Sequence, residues 1–165
     1  MPSLMIERRA DRRPHPLAGK YLTFAIDGEE YGVPVLQVRE IVKLLPITRV
    51  PQVPEHVKGV VNLRGKVVPV VDLRLKLGFG PCECTDRTCI VIVEIHVDGG
   101  DALIGLIVDA VSEVATIVSR ELQDTPCLGG GIDPSYIKAI AKVKDGVRML
   151  IDLERVLAGD VGTGR

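Results

Sequence analysis

Few residues in this chain of 165 could make or break bonds. There are three histidines, His15, His56 and His96, and four cysteines, Cys82, Cys84, Cys89 and Cys127. Hydrolytic or transfer chemistry needs a nucleophile beside a base, and no histidine adjoins a nucleophile motif such as G-x-S-x-G. The few serines fall at turns or at exposed strand positions, and Glu29-Glu30 sits in a turn, where solvated acids are expected. Cys82, Cys84 and Cys89 form C-x-C-x4-C, without the matched C-x2-C pairs of a zinc site. They read as reduced loop and core thiols of a cytoplasmic protein. Gly129-Gly130-Gly131 lacks the Lys-Ser/Thr that completes a phosphate cradle and reads as a linker. The expectation is a binding protein with no catalytic residues, no metal and no cofactor.

The polar residues that stand out suit recognition of charge. Residues 55–72, EHVKGVVNLRGKVVPVVD, hold two β-rich runs hinged at Arg64-Gly65-Lys66. A glycine there accepts positive φ, so the runs can fold back as a hairpin. Asn62 and Arg64 lie at its end, within reach of a partner. Glu40, in the preceding element, is a carboxylate that could orient that element against the hairpin.

Composition narrows the partners. Hydrophobic residues are 46%, charged 26% and aromatic 3%, with net charge −1. That balance is globular, and the Val and Ile content favours strands. A nucleic-acid binder would show a basic stripe or stacking aromatics, so no nucleic acid is expected. No apolar run reaches the roughly 20 residues of a membrane span, so no membrane insertion is expected. Residues 1–18, with Arg8, Arg9, Arg12 and Arg13, read as a disordered polar leader, and residues 159–165 as a flexible tail.

The elements that must position these residues are short and β-rich. Residues 21–26 read as a strand that turns at Asp27-Gly28 into residues 31–33. Pro34 followed by Val35, Val38, Ile41 and Val42 predicts an amphipathic helix over 34–44, and residues 47–50 a further strand. After the central hairpin, Asp72 caps a short helix closed by Gly78. Residues 89–97 and 102–108 predict a second hairpin, residues 111–118 a strand, and residues 136–144 and 147–151 a third hairpin turning at Asp145-Gly146. A last short helix begins at Asp152.

Two overlays suggest one unit used twice. Residues 67–73 match 147–153, each a strand running into an Asp-capped helix, and residues 31–41 match 104–114. The predicted helix over 34–44 interrupts the second overlay. Short strands and frequent turns predict two small barrels sharing a core, since closure removes open sheet edges.

YGVPVLQVREI (31–41), ITRVPQVPEHVKGVVNLRGKVVPVVDLRLKLG (47–78) and IGLIVDAVSEV (104–114) resemble the CheW-like domain family of bacterial chemotaxis coupling proteins. The resemblance implies a mainly β fold of two intertwined five-stranded SH3-like β-barrels with short flanking helices, in one domain over 19–158. It also implies a non-catalytic, cytoplasmic adaptor that joins methyl-accepting receptors to the histidine kinase CheA and is recruited to membrane-associated receptor arrays. A groove between the subdomains would take the receptor's cytoplasmic tip, and one face would dock on the kinase regulatory domain. By motif, Val38, Glu40, Ile41, Gly59 and Arg64 fall at functional positions of the family, as do Cys89, Val111 and Val114; Asn62 joins them as part of the hairpin tip. The alternative reading is the same module serving surface motility or second-messenger control.

Overall fold

The computed structural model describes residues 15–81, 83–97, 99–124 and 134–160. The first half of the chain forms β1 (Gly19–Ile26), β2 (Glu29–Pro34), a 3-10 turn (Val35–Gln37), β3 (Val38–Lys43), β4 (Val57–Leu63), β5 (Lys66–Asp72) and α1 (Leu73–Lys76). The second half forms β6 (Cys89–Val97), β7 (Gly100–Val108), β8 (Ala110–Ile117), β9 (Leu122–Gln123), β10 (Ile137–Val143), β11 (Gly146–Ile151) and α2 (Leu153–Val156), with 3-10 turns at Ser119–Glu121 and Pro134–Tyr136.

The two sheets trade strands. One runs β8-β1-β2-β11-β10-β9 and the other β3-β6-β7-β5-β4. Exchanging β1 for β6, β2 for β7, β3 for β8, β4 for β10 and β5 for β11 converts one order into the other. Each sheet therefore takes its leading hairpin from one half of the chain and its remaining principal strands from the other. The join is a parallel pairing in both cases, β2 with β11 and β5 with β7. Even β9, which pairs Gln123 with Ile140, has a counterpart in the isolated Thr48–Val60 bridge.

Register repeats as closely as order. Arg39 is skipped where β3 meets β6, and Ser112 where β8 meets β1. The shift between Val57 and Gly59 on β4 recurs between Ile137 and Ala139 on β10. The amide of Asp72 donates to His56 at 2.7 Å, and that of Asp152 to Tyr136 at 2.8 Å. Bulges tied to fixed positions are features that a fold retains, so their recurrence supports the duplication.

The expectation of a helix over 34–44 is corrected. Only Val35–Gln37 turn, as a 3-10 segment, and Val38–Lys43 is strand β3. Val38, Ile41 and Val42 have helical spacing, but the skipped residue at Arg39 gives a bulged strand a similar spacing. β-Branched residues and the antiparallel partner β6 decide in favour of the strand. The interruption of the repeat thereby disappears, because β3 is the counterpart of β8. Residues 47–50 contribute a single bridge at Thr48 and no strand. Glu29 and Glu30 open β2 and lie outside the turn.

Alternation along the strands builds three cores. Val91 and Val93 face the largest, which joins both sheets and both helices through Phe24, Tyr31, Leu73, Leu106 and Leu153. Ile90 and Ile92 face the opposite way, into a second cluster with Val61, Val68 and Val70. Tyr21, Ile117, Ala141 and Leu150 make the third, inside the other sheet. A strand that is apolar on both faces is buried on both, which is why residues 89–93 read as a continuous apolar run.

Candidate functional site

The central hairpin supplies the site. Leu63 pairs with Lys66, leaving Arg64 and Gly65 as a two-residue turn, with φ of 51° and 88°. Positive φ at both positions is the geometry that continues strand twist through a tight hairpin. Gly65 meets it without cost, whereas Arg64 occupies a region that non-glycine residues seldom use. Asn62 Oδ1 accepts the Gly65 amide at 2.8 Å, so Asn62 builds the turn that presents Arg64.

Arg64 reaches Glu40 on β3 with both ends of its guanidinium. One nitrogen donates to Oε2 at 3.1 Å and the other to Oε1. The two-point hydrogen bond, reinforced by the guanidinium charge, holds the Glu40 carboxyl below its usual range and pushes Arg64 up. The Arg64 side chain is 70% exposed, so water screens this pair and its value lies in orientation.

A cleft of about 480 Å³ opens beside the pair, lined by Arg39, Glu40, Leu63, Arg64, Lys66 and Glu94, with Ile92 and Leu103 behind them. The bulge at Arg39 places that residue and Glu40 in the same cleft, and Arg39 pairs with Glu94. Sequence reasoning missed the Arg39–Glu94 pair because it placed both Arg39 and Glu40 on a helix. Residues 38–42 carry no local signal for it, because the bulge turns Val38 to the shared core and Val42 to the second cluster.

The remaining expected residues divide. Ile41 projects away from Glu40 and is 44% exposed. Val114, its counterpart on β8, is 53% exposed. Both are large apolar side chains open to a partner. Val38, Cys89 and Val111 are half-buried against the shared core. Burial pushes the Cys89 thiol up, offset in part by a hydrogen bond with the Val111 backbone. Gly59 has φ 139° and a packing role: a Cβ there would lie 2.0 Å from the Thr48 carbonyl oxygen.

His56 Nε2 lies 2.8 Å from Asp160, which also holds Lys76 at 2.9 Å, and His96 pairs with Asp101. Cys84 is exposed and carries no bond to another cysteine. Among the described residues no cluster of three His, Cys, Asp or Glu could hold a metal ion, and no helix is long and apolar enough to cross a membrane. Cys82, Cys127, the triple glycine and residues 1–14 of the leader lie outside the described residues.

Comparison with known proteins places this geometry. Residues 20–161 match the model of the CheW-like domain. The chain is 37% identical over 141 residues to chemotaxis protein CheW of Bacillus subtilis, covering 84% of this chain and 86% of that protein. It is 32% identical to chemotaxis protein CheW of Rhizobium meliloti, covering 84% and 87%. The crystal structure of scaffolding protein TtCheW from Thermoanaerobacter tengcongensis superposes with a TM-score of 0.76 at 34% identity, covering 90% of this chain and 97% of that one.

Proposed function

Because this chain belongs to the CheW-like domain family, we propose that it is a non-catalytic adaptor coupling methyl-accepting receptors to the histidine kinase CheA in chemosensory signalling. The observation that carries the reading is the Glu40–Arg64 pair, fixed at two points on a hairpin tip yet open to solvent. A surface pair adds little to stability, so spending an unfavourable Arg64 backbone on it is better explained by presentation than by folding.

Recognition divides between charge and apolar contact. The Glu40–Arg64 tip supplies directional bonds to the receptor's helical cytoplasmic tip, and exposed Ile41 and Val114 supply apolar area for helix packing. Val38, Cys89 and Val111 support these surfaces from beneath. The unit that folds and binds is residues 19–158, recruited to receptors at the cytoplasmic face of the membrane. Each interface is modest, and many acting together in an array supply the avidity.

The test is bridging. Receptor-tip fragments fixed on beads should retain the kinase regulatory domain only when this protein is added. Equal retention with and without it would overturn the adaptor role.

A further inference from the structure

The repeat provides an internal control for which charges the fold needs. Glu40 and Arg64 correspond to Glu113 on β8 and Lys144 at the β10–β11 turn, so both copies keep that arrangement of sign. Arg39, Glu94 and Lys66 correspond to Ser112, Ala25 and Gly146, so the second copy forms the same bulge and the same hairpin without them. These three charges therefore occur in one copy only, and the fold does not require them. Arg39 and Glu94 cancel each other as a pair, as do Arg64 and Glu40. Lys66 joins none of the ion pairs among the described residues, and it lines the same cleft. The cleft thus carries one uncompensated positive charge next to the partly apolar wall of Leu63 and Leu103.

We propose that Lys66 is a specificity determinant that selects a receptor tip carrying an exposed carboxylate beside an apolar side chain. The apolar group lies against Leu63 and Leu103 while the carboxylate meets the Lys66 ammonium. This inference rests on the adaptor reading and adds the chemistry of the segment it accepts. Charge complementarity of this kind acts mostly on discrimination and encounter rate, and it weakens with salt.

The test is titration calorimetry with the cytoplasmic-tip hairpin of a receptor from the same organism, at low and physiological ionic strength. Lys66→Gln should weaken binding about threefold at low salt, and Lys66→Glu about tenfold or more, as expected for losing and then reversing one exposed charge contact. Both losses should shrink as salt rises, because the screening length falls from about 30 Å at 0.01 M to about 8 Å at 0.15 M. Lys66 is exposed at the start of β5, so both variants should keep the wild-type circular dichroism and melting temperature. If the wild type and Lys66→Glu bind alike while Arg64→Glu does not bind, the Lys66 inference falls and the adaptor reading stands. If the wild type itself shows no binding, both fall.

Discussion

At the scale of single residues, the site depends on one charge pair whose energetics are visible in titration. Glu40 is held below its usual range by Arg64, so its carboxylate persists at neutral pH. A depressed folded-state pKa contributes stability above the unfolded value, lost as pH falls through the folded one. The pair should therefore survive mild acid and part only below the ordinary carboxyl value of 4.5. A carbon-detected NMR titration should place the Glu40 midpoint lower in the wild type than in Arg64→Ala; equal midpoints would show that the two groups do not pair in solution. Tyr31 shifts the other way: burial, aided by Glu29 and Asp27, pushes its phenol up to about 12. A raised value contributes stability present below the ordinary value of 10.0 and lost as pH rises towards 12. Alkaline unfolding should therefore coincide with the ultraviolet signal of Tyr31 ionising.

At the scale of elements, the duplicated strand–helix units allow matched comparisons. Asp72 caps α1 by accepting the Arg74 and Leu75 amides, and it also grips the Arg74 guanidinium at two points. Arg74 is buried and reaches Asp109 beyond β7, tying α1 to the other half of the chain. Asp152 caps α2 through the Arg155 amide. Asp152→Ala should cost about 1 kcal/mol, an ordinary cap. Asp72→Ala should cost about 2–4 kcal/mol, because it also removes two charge-assisted hydrogen bonds from a buried guanidinium that keeps Asp109 as its other partner. Chemical denaturation measures both, and equal losses would contradict the account. Gly105→Ala tests the join between halves: its Cβ would lie 2.8 Å from Ile90 and 3.4 Å from Val70 across the parallel pairing, a loss of about 1–3 kcal/mol.

How much of this was legible beforehand follows from the same elements. The β5–α1 and β11–α2 units were readable because an apolar run ending in Asp states both strand and cap locally. The site's Arg64 was readable because a glycine marks the turn. The β3 strand was not, because a bulge shifts the apolar spacing towards a helix's and only the β6 partner resolves it. With β3 misread, Arg39–Glu94 could not be found, since that pair depends on which side of β3 each residue occupies. The jobs of Asn62 and Gly59 were equally hidden, for both depend on where a neighbouring backbone passes.

At the scale of the whole molecule, exchange of strands makes the two halves interdependent. The β1–β2 hairpin has no sheet without β8 and β11, and β6–β7 has none without β3 and β5. The largest core contains residues from both halves and both helices. Neither half should fold alone: a chain ending after α1 should lack β-sheet circular dichroism, and the intact protein should unfold in a single calorimetric transition. Such coupling suits a scaffold, since a rigid body transmits the position of one partner to another without internal slack.

The adaptor account is tested most directly by receptor binding of Arg64→Glu. That substitution places like charges together at Glu40 and removes the bidentate donor, while leaving a solvent-exposed turn that the cores do not need. Immobilised receptor-tip hairpin should capture the wild type and fail to capture Arg64→Glu, whose circular dichroism and melting transition remain those of a folded protein. Capture of the folded variant at the wild-type level would contradict the account.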